Sequence, residues 1–315
     1  MPGWTASDIP DQSGRTVLVT GGNSGLGYQT VLQLARKRAH VLLGARDLTR
    51  GQAALDQLKA ETPGGHIELA RLDLADLTSV ERFSTEFLAS GQDLDVLVNN
   101  AGVMAIPHRE TTAQGFERQF GTNHLGHFAL TGRLLPALIK RPGSRVVTVS
   151  SNQHKRTKGI NFDDLRSERN YQPWGAYAQS KLANAMFILE FDRRLRAAGL
   201  DVVSAGAHPG FAATNLQVTG PRSGGTSFVA RGMGLATRVF AQPARDGALP
   251  TLYAATAADV HGGDYFGPDG PGEMRGHHPK LVQFSAAAHD QAAAARLWRV
   301  SEELTGVTFD ALTAR

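Results

Sequence analysis

Short runs of valine and leucine alternate along this chain with longer segments whose apolar residues recur every three or four positions. The runs are TVLVT (16–20), AHVLLGA (39–45), HIELARLDL (66–74), DVLVNN (95–100), RVVTVSS (145–151), DVVSAGAHPG (201–210) and GDYFGP (263–268). Most show little alternation of apolar with polar residues, which marks strands covered on both faces. The intervening segments, 26–39, 48–61, 77–90, 112–139, 176–199, 244–257 and 292–306, read as helices, and Gly199 supplies one of the stops. Repeated strand–helix–strand units predict an α/β fold with a doubly wound parallel sheet. After His208 the regularity breaks into a glycine-rich stretch of mixed character, about 211–243, which reads as a flap over the rest. One domain is expected over 14–315, preceded by an extension over 1–13.

Composition narrows the function. Hydrophobic residues make up 41% of the 315, enough for a large core. There is no cysteine, so disulfides, thiolate nucleophiles and zinc–cysteine sites are excluded. The net charge is only +4, with bases and acids interspersed, which argues against a nucleic-acid partner. No stretch has the length or apolarity of a membrane anchor or a leader, and a cytoplasmic location is expected.

The chemistry begins at TGGNSGLG (20–27), between the first strand and the first helix. Gly21 can turn sharply, Gly25 lets backbone approach a pyrophosphate, and Gly27 lets helix pack on sheet, with Asn23, Ser24 and Leu26 filling the loop. Free N–H groups at the helix start then meet the negative charge. The spacing is not G-x-G-x-x-G, and a plain glycine turn is the alternative. The second strand ends GARDLTR, where an acid would take a ribose 2′-hydroxyl; Arg46 stands there instead, with Arg50 a turn later. A guanidinium suits a 2′-phosphate, so NADP(H) is preferred and NAD(H) is the lesser cofactor; a solvated arginine beside Asp47 is the bland reading. Asp73 and Leu74 end the third strand and either hold an adenine or form an exposed strand end.

Tyr177 and Lys181 in YAQSK lie four apart, on one helix face, about 6 Å apart at Cβ. Alone, the pair reads equally as a half-buried aromatic and an exposed lysine. Together with TGGNSGLG, NNAG (99–102), VSS (149–151) and HPG (208–210), in that order, it makes the chain resemble the short-chain dehydrogenase/reductase family. INFDDL (160–165), SKLANAMF (180–187), HPGFAATNL (208–216) and RLWRVSEELTG (296–306) are similar to the retinol dehydrogenase, protochlorophyllide reductase and WW-domain oxidoreductase branch.

The resemblance implies a Rossmann-type fold and hydride transfer between nicotinamide and a carbonyl or alcohol of a small apolar molecule. It implies Tyr177 as acid or base, Lys181 on the nicotinamide ribose and beside the phenol, and Ser151 on the substrate oxygen. Asn123 would bend a helix and anchor a water leading to the lysine. Asn100, Ala101 and Gly102 would line the adenosine side, and Pro209, Gly210 and Thr214 the nicotinamide carboxamide. Tyr177 follows Ser151 by 26 positions, longer than is usual for the family, which enlarges the rim of the site and leaves Ser150 as the substitute hydroxyl. Relatives are dimers, tetramers or monomers, so a homo-oligomer is left open.

Other signals are read as structural. His124 and His127, and His277 beside His278, are expected in packing or solvent roles, and no metal site is expected. HKRTK (154–158) reads as a solvated loop or a site for an anionic tail. Phe211, Phe228, Met233 and Phe240 line a pocket or hold the flap shut. The competing function keeps the fold and drops the turnover: an NADP(H)-binding sensor or scaffold.

Overall fold

The computed structural model describes residues 3–211 and 242–313. Eight strands form one sheet in the order β3-β2-β1-β4-β5-β6-β7-β8. They are β1 Thr16–Thr20, β2 His40–Ala45, β3 His66–Arg71, β4 Val96–Asn99, β5 Ser144–Val149, β6 Val202–Ala207, β7 Tyr265–Pro268 and β8 Pro279–Leu281. All pairings are parallel except β7 with β8. The architecture is Rossmann-like.

Helices cover both faces. On one face α1 (Gly25–Arg36), α2 (Leu48–Glu61) and the helix Leu249–Thr256 pack on Val17, Val19, Val41, Leu43, Val96 and Val98. On the other, α3 (Leu77–Ala89), α5 (Gly126–Leu138), α6 (Pro173–Ala198) and the C-terminal helix Gln291–Thr305 pack on Leu18, Leu42, Leu97 and Val146. Odd and even positions of one strand thus enter different cores, which is why the strand runs show no polar alternation. Ile9, before β1, is also buried, and Trp4 packs edge-on against Tyr253 at 5.0 Å.

Four details differ from the sequence pattern. β3 stops at Arg71, three residues before the apolar run does, because Asp73 and Asp76 turn the chain into α3. β8 has no counterpart in the sequence pattern; three residues beginning with proline carry too little of one to register. The 112–139 segment becomes helical only at Arg118, after Thr111 and Glu117 bridge across a turn. That short α4 (Arg118–Phe120) continues through a wider, π-type turn, Gly121–Leu125, into α5. Lastly, α6 starts at Pro173, where its missing N–H has no helical partner to lose. It ends as read, at Gly199 with φ +67°.

The C-terminal segment locks α5 to α6. Phe309 lies 4.9 Å from Phe128, 5.6 Å from Phe191 and 4.5 Å from Trp298, ring centre to ring centre. Its ring fills the space that Gly132 leaves open, since a Cβ there would lie 2.8 Å from the Phe309 edge. Phe309→Ala should therefore cost about 3–5 kcal/mol of stability, read as a lower denaturant midpoint in guanidinium unfolding.

Candidate active site

The sheet order reverses between β1 and β4, so loops from these strands diverge and leave a crevice at the carboxyl ends of the strands. The crevice encloses about 850 Å³. Gly21, Asn23, Ser24, Gly25, Leu26, Gly27, Arg46, Asp73, Leu74, Asn100, Ala101, Gly102, Tyr177, Lys181 and Pro209 all line it. Asn123, Ser151 and Gly210 are not among the lining residues. Thr214, with Phe228, Met233, Phe240 and most of the expected flap, lies outside the described residues.

At the glycine loop, Gly21 and Gly25 have φ of +65° and +55°, the left-handed region that side chains disfavour. A Cβ on Gly27 would collide with the Gly21 carbonyl and the Asn100 side chain, so only glycine lets α1 come this close. Ser24 precedes α1 without capping it through its side chain, and the first turn carries no acid. An open helix start facing a crevice is a fitting cradle for a pyrophosphate.

At the β2 end, Arg50 is 3.6 Å from Asp47, whose carboxylate also caps α2 through the Arg50 N–H at 3.1 Å. Arg46 has no ion pair among the described residues and is exposed at the crevice edge. One Asp73 oxygen accepts the Ala75 N–H at 2.9 Å, so this acid shapes the strand end while facing the crevice.

Tyr177 and Lys181 sit on the crevice side of α6 and are both buried, at 6% and 4% exposure. Lys181 Nζ donates to the Val149 carbonyl at 3.0 Å and lies 5.7 Å from the centre of the Tyr177 ring. Burial pushes the phenol up to about 12, with the Ser151 hydroxyl pulling the other way, and pushes the ammonium down to about 8. Ser151 also accepts the Gln153 N–H at 3.2 Å. Ser150 lines the crevice, but its hydroxyl is spent on the Lys181 carbonyl at 2.8 Å. Of the two serines, Ser151 is the one whose hydroxyl bears on the phenol.

Asn123 lies in the π-type turn and is fully buried. Its side chain accepts from Val103 N at 2.8 Å and donates to Val103 O at 2.9 Å and to Ser180 Oγ at 2.9 Å. Ser180 Oγ in turn donates to the Tyr177 carbonyl at 2.8 Å. Asn123 thus ties the segment after NNAG to the helix turn that carries Tyr177.

Two members of this network have roles that the sequence pattern does not give, although Thr20 opens TGGNSGLG and His127 belongs to the H-x-x-H. Thr20 Oγ1 accepts the N–H groups of Asn100 and Ala101, both at 2.9 Å, and lies 2.9 Å from His127 Nε2. His127 Nδ1 is 2.9 Å from the Asn123 carbonyl, which can only accept, so the ring proton belongs on Nδ1 and Nε2 receives the Thr20 hydroxyl. Burial drives His127 down to about 3, keeping it neutral. His124 points elsewhere, toward Ser301 Oγ at 3.0 Å. Both histidines of the H-x-x-H are therefore packed, hydrogen-bonded groups. A separate cluster, His40, His66 and Glu68, brings its ligand atoms within 4.8 Å of one another, but at the opposite ends of β2 and β3 and with the two rings stacked side by side at 3.9 Å.

Comparison with known proteins bears on the family and the fold. Residues 15–222 match the short chain dehydrogenase family. Human retinol dehydrogenase 13 is 40% identical over 302 residues, covering 93% of this chain and 85% of its own. Mouse polyprenol dehydrogenase is 40% identical over 304 residues, covering 95% and 86%. A crystal structure of an uncharacterised Mycobacterium paratuberculosis protein superimposes with a TM-score of 0.78 at 44% identity, covering 97% of this chain and 98% of that one. With a glycine-lined crevice at the switch point of its sheet and relatives of this extent, the chain belongs to the short-chain dehydrogenase/reductase family, in its retinol dehydrogenase-like branch.

Proposed function

We propose that the protein is an NADP(H)-dependent oxidoreductase that reduces a carbonyl group of an apolar small molecule, with Tyr177 as the proton donor. The observation that carries this reading is the placement of a buried phenol and a buried ammonium on one helix face, opening on the same crevice as the glycine loop. Bound NADPH supplies the hydride.

The residues present suit that cofactor. The Gly21–Gly27 loop and the start of α1 would take the pyrophosphate, and Arg46 the 2′-phosphate. Asp73 and Leu74 would face the adenine, Asn100 to Gly102 the adenosine side, and Pro209 and Gly210 the carboxamide. The Tyr177 phenol, raised to about 12, is protonated at neutral pH and suited to give a proton to a developing alkoxide. Ser151 would hold the same oxygen. Lys181 would stabilise the phenolate left behind, most effectively where water is excluded. Oxidation of an alcohol would require that phenolate beforehand, whereas the protonated phenol is already suited to reduction.

An apolar substrate fits the rim. Trp174 is half exposed and stands edge-on to Tyr177 at 6.1 Å, and Phe211 is exposed beside Pro209. Retinol and polyprenol, named in the relatives' activities, are apolar alcohols. Among the described residues, no helix is long and apolar enough to cross a membrane.

Tyr177→Phe should lower kcat/KM for a carbonyl substrate by roughly 10²–10⁴-fold, while the NADPH Kd from fluorescence titration stays close to wild type; retained turnover would remove the proton-donor role. Wild type that binds NADPH yet oxidises none of it across ketones, aldehydes and quinones would favour the sensor reading instead. Arg46→Asp should shift the NADPH-to-NADH ratio of kcat/KM toward NADH by about 1.5–3 kcal/mol, and an unmoved ratio would reject the phosphate contact. Lys181 titrates near 8 in the fold against 10.5 unfolded, so between these values the unfolded chain holds the extra proton and stability rises with pH. Relative to Lys181→Met, the wild type without cofactor should gain about 1–2 kcal/mol between pH 7.5 and 9.5, measured by guanidinium unfolding at each pH.

A further inference from the structure

Glu273 lies outside the crevice lining, yet it joins the turn that follows Ser151 to the turn that begins at His208. Its backbone has φ +58°, directly after Gly272 at +59°, a conformation that costs a glutamate energy and persists only where the surroundings impose it. From there Oε2 accepts the Lys155 ammonium at 2.9 Å and lies 3.2 Å from His208 Nε2. Lys155 sits in the turn Asn152–Arg156, which begins immediately after Ser151. His208 immediately precedes Pro209.

The His208 ring is sealed from solvent, and its Nδ1 accepts the Gly210 N–H at 3.2 Å. The ring proton therefore belongs on Nε2, facing the carboxylate, although off the line of a well-formed hydrogen bond. The backbone reinforces the junction. Phe211 N donates to the Met274 carbonyl at 2.6 Å, and Asn152 Nδ2 reaches the Glu273 carbonyl at 3.4 Å. Gly210 has no room for a side chain, since a Cβ would stand 2.5 Å from the Met274 oxygen and 3.0 Å from that of Glu273. His208 and then Lys155 hold the Glu273 carboxyl down at about 2, so this carboxylate is charged throughout the neutral range.

Building on the oxidoreductase reading above, we infer that Glu273 is a positioning residue for hydride transfer, fixing the segment that starts at Ser151 against the His208–Gly210 turn. In that reading Ser151 holds the substrate oxygen, and Pro209 with Gly210 borders the nicotinamide. The carboxylate then sets the separation of the reacting carbon from the hydride it receives. A shift of about 1 Å in such a geometry costs on the order of 10²-fold in rate.

The test compares full-length wild type, Glu273→Gln, Lys155→Gln and the double variant, using NADPH and a carbonyl compound that wild type reduces. Glu273→Gln should lower kcat by about tenfold or more with the NADPH Kd nearly unchanged. NADPH deuterated at the transferred position should show a larger isotope effect on kcat than in wild type, because misplacement slows the hydride step itself. Lys155→Gln should act in the same direction, and the double variant should be no slower than Glu273→Gln. An unchanged kcat in Glu273→Gln overturns the inference. So does a lower kcat with an unaltered isotope effect and a reduced Tm, which would make Glu273 purely structural. If Glu273→Gln does not fold, the isotope effect of Lys155→Gln decides by the same criterion. A wild type that binds NADPH but reduces no carbonyl overturns the oxidoreductase reading and this inference with it, whereas an active wild type with an unaffected Glu273→Gln overturns the inference alone.

Discussion

A cation kept dry is the constraint around which this crevice is organised. The Lys181 ammonium is almost wholly buried, and its one hydrogen-bond partner among the described residues is the Val149 carbonyl. Burying a charge without an opposite charge is costly, and a fold keeps such a group only when its surroundings are rigid. Here the rigidity comes from the end of β5, whose carbonyl meets the ammonium, and from Ser150, whose hydroxyl fastens the main chain of the same lysine. The phenol beside it answers the same burial with the opposite displacement, as an acid must.

The topology explains why distant segments meet at this point. β1 and β4 are neighbours whose crossovers leave toward opposite faces, so Thr20 at one strand end can collect the backbone donors of Asn100 and Ala101 at the other. Through His127 the same hydroxyl reaches the carbonyl of Asn123, and through Ser180 Asn123 reaches the turn of Tyr177. The histidine works as a fixed neutral spacer. Its burial prevents it from taking up a proton at any pH near neutrality.

How much of this was legible in the sequence follows from the range of each interaction. The first seven strands, α1 to α3 and the glycine loop rest on local periodicity and backbone freedom, and their positions were readable to within a few residues. The alignment of fifteen proposed residues along one crevice follows from strand ends, which order in the chain already implies. The contacts that Thr20 and His127 make were not readable, although Thr20 opens the glycine-loop motif. A threonine at a strand end and a histidine in a helix carry no pattern until residues some 80 and 107 positions away fold against them. Glu273 was equally silent, since its partners lie in two separate loops. The widened turn at Gly121–Leu125 is invisible to periodicity because one extra residue within a helix hardly disturbs an apolar spacing of three and four.

The two rims of the sheet carry a further consequence. β8 is only three residues long, starts with a proline that has no N–H to offer, and places a lysine at its centre. β3, at the other rim, exposes His66, Glu68 and Arg71. Brevity, proline and outward charge are the devices by which open strand edges refuse a neighbour. Among the described residues, both rims are thereby ill suited to adding strand to strand into a continuous ribbon.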